Sequence, residues 1–164
     1  MKKLLSVVCV LVMAFSLVLL PCSASTNDDE KNVSTLISEE IEYYQDGSSV
    51  VTQVFEDEII SSKGTVTKSG SKTAAYRDSS NNILCSFTVH GTFSVNTGVS
   101  ATCTAASYSY TAPGSGWSLK TASATKSGSS AVGTSTFVRK VLLITVDIRD
   151  LNCTLTCSKN GVLS

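Results

Sequence analysis

Residues 83–95 alternate between apolar and polar side chains, and this alternation constrains the fold more than any other feature. The odd positions carry apolar or small residues, and every even position except Leu84 is polar. Side chains of a β-strand point to opposite faces with a period of two. The segment therefore predicts a long strand with one face in the core. Asp78–Asn82 before it and Asn96–Gly98 after it are typical of turns.

An acidic segment upstream predicts a β-hairpin. Ile41–Tyr44 and Val50–Val54 lie on either side of Gln45–Ser48, which contains an Asp-Gly pair. Asp-Gly between two apolar runs is among the strongest short hairpin signals. The apolar residues from Leu36 to Tyr44 also fit helical spacing, so the structure before Ile41 stays open between strand and helix.

Further strands are predicted downstream, separated by turns at Pro113–Gly116, Lys126–Ser129 and Asn160–Gly161. They are a strand with Val99, Ala101, Cys103 and Ala105 on its core face, Trp117–Thr125, Ala131–Val138, a strand with Leu142, Ile144, Val146 and Ile148 on one face, and a strand with Leu151, Cys153, Leu155 and Cys157 on a face of opposite parity. The change of phase at Arg149-Asp150 indicates a bulge or bend. At least seven short strands without a convincing helix predict an all-β, antiparallel β-sandwich, immunoglobulin-like or related.

The first 24 residues have the pattern of a secretory signal peptide. Two lysines precede a long apolar run that ends at Leu20, and Ala24 is a small residue suited to cleavage. We therefore expect a secreted, extracellular protein with no membrane span after cleavage. A short membrane anchor and a lipid attached to Cys22 are the alternatives, although Pro21 fits a lipidation motif poorly.

Charge divides the mature chain into two parts. Residues 25–60 carry ten acidic side chains and one basic one, a net charge of −9, whereas residues 61–164 have a net charge of +7. We expect three regions: a signal peptide (1–24), an acidic leader with the hairpin (25–60) and the sandwich domain (61–164). The hairpin should dock on the basic domain or pair with one of its edges, chiefly through apolar contact by Ile41, Tyr43, Val51 and Phe55. The alternative is a free acidic spacer that keeps the domain off an anionic cell wall.

Four cysteines remain after cleavage, and in an oxidising compartment they predict disulfides. Cys85 and Cys103 would lie about 23 Å apart within one hairpin, and Cys153 and Cys157 about 13 Å apart on one strand, at ~3.3 Å per residue. Both separations exceed the ~7 Å between Cα atoms that a disulfide allows. Cys85 and Cys103 should therefore each pair with one of Cys153 and Cys157. The alternative is a zinc site of four thiolates, for which the spacing is unsuitable.

The order Cys103, Trp117, Cys157 resembles the Cys…Trp…Cys spacing of immunoglobulin domains. The resemblance covers the spacing only, because Leu155 stands where that family has a tyrosine two residues before the second cysteine. It implies a sandwich with a disulfide between its sheets.

The mature chain also resembles uncharacterised small secreted β-sandwich proteins of Gram-positive gut-type bacteria. The matching segments are Ile41-Glu-Tyr with Asp46-Gly-Ser, Ser69-Gly-Ser-Lys-Thr73, Val89-His-Gly-Thr-Phe93, Ala101-Thr-Cys-Thr104, Ser123-Ala-Thr-Lys-Ser-Gly128 and Leu155-Thr-Cys157. This resemblance implies secretion and a β fold, but no activity. It also implies the bridge Cys103–Cys157, which leaves Cys85–Cys153 as a second bridge.

No catalytic constellation emerges from the sequence, and we expect a non-enzymatic protein without cofactor or metal. The one histidine, His90, falls on a polar strand face, and no nucleophile motif accompanies it. Asp147 and Asp150 near the predicted bend are the remaining candidates for a paired-carboxylate site, which would make the protein a small hydrolase.

Four basic residues on or near adjacent predicted strands suggest binding of anionic polymers: Lys120, Lys126, Arg139 and Lys140. Cell-wall or glycan polymers at the cell surface are the expected partners, and nucleic acid is not, because stacking aromatics are sparse. The alternatives are lysines that merely protect sheet edges, or a bacteriocin-like toxin with an exposed patch of Tyr108, Tyr110 and Trp117.

Overall fold

The computed structural model describes residues 34–57, 60–62 and 65–164, and all their regular elements are β-strands. The predicted signal peptide lies outside these residues. The strands are β1 (Thr35–Tyr43), β2 (Ser49–Glu56), β3 (Ile60–Ser62), β4 (Thr65–Arg77), β5 (Ile83–Asn96), β6 (Ser100–Thr111), β7 (Trp117–Ser127), β8 (Ser130–Val141), β9 (Ile144–Asp150) and β10 (Cys153–Thr156). The all-β prediction is confirmed.

The strands form two antiparallel sheets. The first has the order β1-β2-β4-β5-β6, and the short β3 pairs with the beginning of β4. In the second, β7 pairs with one side of β8. β9 and then β10 pair with successive parts of its other side, so that Asp150 lies opposite Thr136 and Cys153 opposite Gly133.

The two sheets face each other across a core centred on β5. Phe87, Val89 and Phe93 on β5 are fully buried, as is Phe137 on β8. A Cβ placed on Gly133 of β8 would lie 2.7 Å from the ring of Phe87, so the sheets are in close contact here. The architecture is therefore sandwich-like.

The predicted alternation of β5 is confirmed. All odd-numbered residues from Cys85 to Val95 are buried. Among the odd positions of β5, only Ile83, at the start of the strand, is exposed. β5 turns into β6 at 96–99, where Gly98 has a φ of 79°. This positive φ favours glycine because it has no Cβ.

The core face predicted for β6 is correct only in part. Ala101 and Cys103 face the core, but Val99 is exposed in the turn and Ala105 is exposed on the strand. The reason is a β-bulge. Phe93 pairs with Cys103 and Thr92 with Ala105, which leaves Thr104 as an extra residue. One extra residue reverses which side chains point inward.

The acidic hairpin is formed by β1 and β2, so the open question about residues before Ile41 is decided in favour of a strand. Asp46 Oδ1 accepts a hydrogen bond of 2.9 Å from the backbone N–H of Ser48 and stabilises the turn. β2 pairs with β4 along its whole length, and Val54 is buried. This is the edge pairing expected for the hairpin, but only part of the predicted apolar contact forms. Val51 is buried and Phe55 half-buried, whereas Ile41 and Tyr43 are exposed because β1 is an uncovered edge strand.

The apolar face predicted for 142–148 is exposed rather than buried. β8 and β9 form a hairpin that turns at Leu142-Leu143, and these side chains are 91% and 95% exposed. Ile144, Val146 and Ile148 are each more than half exposed, because no described strand packs over the face of β9 that carries them. By contrast, Leu151, Cys153, Leu155 and Cys157 are buried, as predicted.

Substitution of Gly133 by alanine should lower the free energy of unfolding by about 1–3 kcal/mol, because the new methyl group would collide with Phe87 and Val89. Urea denaturation measures the effect. Thr134→Ala is the matched control on the exposed face of the same strand and should cost about 1 kcal/mol or less. Equal stability of Gly133→Ala and the unmodified protein would show that the sheets do not meet here.

Substitution of Val54 by aspartate should lower the free energy of unfolding by about 3 kcal/mol or more, because it places a charge in the core. Tyr43→Asp, on the exposed edge of the same hairpin, should change it by less than about 1 kcal/mol. If Val54→Asp also left the urea midpoint unchanged, the hairpin would be a free arm rather than part of the sheet.

Candidate functional site

Two of the four predicted basic residues meet on the outer face of the second sheet. Lys120 and Lys140 line a shallow pocket of about 280 Å³ together with Val138, Thr145 and Ile148. Two irregularities of the sheet contribute to it. Lys120 is the extra residue of a bulge in β7, and the β8–β9 register shifts next to Lys140.

This basic pocket has the composition of an anion-binding site. Its polar side chains are those of Lys120, Lys140 and Thr145, and no acidic side chain among the described residues lines it. Val138 is only 6% exposed although it lies outside the main core, so the pocket has an apolar floor. Ammonium groups bind phosphate, sulfate or carboxylate as compact charges without demanding one fixed geometry.

The other two predicted basic residues lie elsewhere. Lys126 lies at the far end of β7, six residues from Lys120, and its Nζ donates a hydrogen bond of 3.1 Å to the carbonyl of Thr104. It lines a separate cleft of about 420 Å³ between β6 and β7. Arg139 is exposed and pairs with Trp117, outside the basic pocket. The structure therefore brings together only half of the predicted set.

The four cysteines are all buried and none is bonded to another, so the structure contains neither predicted bridge. Each of three thiols instead lies near a backbone oxygen. The Sγ atom of Cys103 lies 3.2 Å from the carbonyl of Ala105, that of Cys153 lies 3.8 Å from that of Phe87, and that of Cys157 lies 3.5 Å from that of Ser158.

Burial makes these thiols poor nucleophiles. It raises the pKa of Cys85 to about 12 and that of Cys153 to about 11. Burial also raises the pKa values of Cys103 and Cys157. Because the folded pKa lies above the usual value of 9.0, a thiol stabilises the folded state below pH 9. That contribution is lost as the pH rises towards 11–12.

In the reduced, folded protein at pH 8, Cys153 should react with a thiol reagent about 100-fold more slowly than an exposed cysteine, and Cys85 more slowly still. Only the thiolate reacts, and pKa values of about 11 and about 12, against the usual 9.0, remove most of it. Labelling followed by peptide mapping gives the rate at each site. The same protein in urea is the control and should react rapidly at all four. Rapid labelling of these two sites in the folded state would contradict the buried placement.

His90 lies on the exposed outer face of β5, where the sequence predicted it. Its Nε2 is 2.9 Å from the hydroxyl of Ser109, on the neighbouring strand. Among the described residues, no carboxylate forms a hydrogen bond with this ring, so the pair lacks the group that orients a catalytic histidine.

Asp147 and Asp150 do not form a paired-carboxylate site. Asp147 forms an ion pair with Arg149, with Oδ1 3.3 Å from Nε. Asp150 accepts a hydrogen bond of 2.7 Å from the hydroxyl of Thr136. Their odd spacing on β9 points the two side chains to opposite faces.

One of the three residues predicted to form an exposed aromatic patch is buried. Trp117 is only 7% exposed and packs edge-on against Tyr76, with ring centroids 5.6 Å apart. Tyr108 and Tyr110 are about half exposed. The toxin hypothesis therefore loses its main support.

A second aromatic cluster, which surrounds Arg149, was not predicted from the sequence. The guanidinium of Arg149 lies 4.6 Å from the ring centre of Tyr76 and 5.5 Å from that of Tyr44. These residues come from three separate strands or turns, and nothing in their local sequence links them. Arg149 thereby joins the turn of the acidic hairpin to the second sheet by cation–π contact.

Within residues 34–57, 60–62 and 65–164, no three His, Cys, Asp or Glu side chains lie close enough to hold a metal ion. The same part of the chain contains no helix of the length and apolarity needed to cross a membrane.

Comparison with known proteins gives no relative from which to transfer a function. No protein-family model matches the chain, and neither a curated protein nor a solved structure matches it significantly.

Proposed function

We propose that this chain is a secreted, non-enzymatic protein that binds anionic polymers of the cell surface through Lys120 and Lys140. The observation that carries the proposal is the pocket these lysines share, which has an apolar floor and, within the described part of the chain, no acidic lining residue. A polymer with repeated phosphate, sulfate or carboxylate groups meets this chemistry, and carbon atoms between those groups can contact Ile148, which is 55% exposed.

A repeating polymer suits a pocket of this kind better than a single small anion. Two exposed lysines bind one anion weakly, because solvent and salt screen the attraction. A polymer presents many equivalent groups near the pocket, which raises their effective concentration after each dissociation. Binding should therefore weaken as salt is added.

Secretion and two disulfides belong to this proposal. The N-terminal sequence supports a signal peptide cleaved after Ala24. The backbone supports the pair Cys103–Cys157, because the N–H of Cys103 donates to the carbonyl of Gly128 and that of Cys157 to the adjacent carbonyl of Ser129. For Cys85–Cys153, the support is that the Cys153 thiol lies beside Phe87, two residues along β5 from Cys85.

Peptide mapping of the secreted protein without reductant tests the bridges. We expect a mature chain starting at Ser25, with Cys103 joined to Cys157 and Cys85 to Cys153. Free thiols, or a bridge between Cys85 and Cys103, would contradict the proposed pairing.

The double variant Lys120→Gln/Lys140→Gln should weaken binding of inorganic polyphosphate about tenfold, since it removes both ammonium groups from the pocket. Fluorescence anisotropy with labelled polyphosphate measures the dissociation constant. Lys126→Gln/Lys159→Gln removes the same charge at exposed positions outside the pocket and should change it less than twofold. Equal losses in the two double variants would show that only net charge matters.

A further inference from the structure

The most exposed apolar residues of the described chain are concentrated at one hairpin end. Leu142 and Leu143 are more than 90% exposed, and Val141 and Ile144 beside them are about half or more exposed. We call Val141–Ile144 the β8–β9 tip. Single exposed apolar residues are ordinary, but four consecutive ones at the end of a hairpin mark an interaction site.

The backbone of the tip is unsuited to leucine. Leu142 has a φ of 48° and Leu143 a φ of 70°, as in a two-residue type I′ turn. Such turns favour Asn-Gly, because a positive φ brings the Cβ of a bulky residue too close to the backbone. The leucines therefore neither help the turn nor fill the core, so a role in folding does not explain them.

Basic residues lie directly behind the tip. Lys140 precedes Val141, Arg139 precedes Lys140, and Lys120 shares the basic pocket with Lys140. The nearest acidic residue on β9 is Asp147, and its charge is neutralised by Arg149. An apolar end followed by a cationic zone matches the two layers of an anionic bilayer, in which acyl chains lie beneath negatively charged headgroups.

We propose that the β8–β9 tip inserts into the interfacial layer of anionic lipid bilayers. Two strand positions separate Leu142 and Leu143 from Lys140, which at ~3.3 Å per residue is about 7 Å. This distance places the leucines among the upper acyl chains when the lysine lies at the headgroups, within the ~5–10 Å typical of interfacial insertion. A convex end with two side chains fits a deformable bilayer better than the flat surface of a protein partner.

This inference goes beyond the proposed function and does not depend on it. Both activities use the lysines, but polymer binding also uses the pocket floor, whereas insertion requires the two leucines. A variant that changes only the leucines can therefore fail in one activity and keep the other.

The decisive variant is Leu142→Asn/Leu143→Gly, which gives the turn its preferred residues and removes both apolar side chains. Co-sedimentation with vesicles measures partitioning, using phosphatidylglycerol mixed with phosphatidylcholine, and phosphatidylcholine alone. We expect the unmodified protein to bind the anionic vesicles at least tenfold more strongly than the neutral ones. The double variant should lose at least tenfold in anionic binding, with an unfolding midpoint equal to or above that of the unmodified protein.

Val99→Ser is the matched control. Val99 is 70% exposed in the β5–β6 turn. That turn is at the opposite end of the sandwich from the β8–β9 tip. β5 begins beside Gly114, whose loop contacts Lys140 near the tip, and β5 ends at the turn that contains Val99. Its vesicle binding should stay within twofold of the unmodified protein, and polyphosphate binding should persist in both variants.

Three results would overturn the inference. The first is equal binding of the leucine double variant and the unmodified protein to anionic vesicles. The second is a lower unfolding midpoint in the double variant, which would give the leucines a structural role. The third is a concentration-dependent dimer of the unmodified protein that the double variant abolishes, without any vesicle binding; the tip would then contact a second copy of the chain.

Discussion

The close contact between β5 and β8 is the constraint on which the rest of the structure depends. The rings and methyl groups of Phe87 and Val89 occupy the space that a side chain at Gly133 would take, so the two sheets meet without a gap. Burial of these side chains is the main favourable contribution to folding. β10 pairs with β8 beside this contact. Leu155 and two cysteines therefore lie in the core.

The same constraint decides which parts of the molecule stay exposed. The first sheet is five strands across, whereas the second consists of β7, β8 and the successive strands β9 and β10. The smaller sheet cannot cover the whole inner face of the larger one, so β1 is exposed along its entire length. The β8–β9 hairpin likewise continues past the contact. The candidate binding features lie there because no other described residue packs over this end.

Sequence patterns predicted the strands well and the faces of the edge strands poorly. β5 was predicted with its buried face because both neighbours and the second sheet cover it, which is the situation that strict alternation describes. In β6, a single extra residue at Thr104 reversed the alternation and exposed Ala105. In β9, alternation was present but no sheet faces its apolar side. Of the basic residues, only Lys120 and Lys140 came together, because Lys126 lies at the far end of the same strand.

The sequence by itself determined the all-β class, the positions of most turns and the hairpin at Asp46-Gly47, because these depend on local backbone preferences and on a period of two. Tertiary structure alone decided that Trp117 is buried against Tyr76, that four cysteines lie in the core, and that Leu142-Leu143 is a turn in water. Each of these depends on how far one sheet extends over the other. That extent is set by contacts between residues distant in the chain, which no local pattern records.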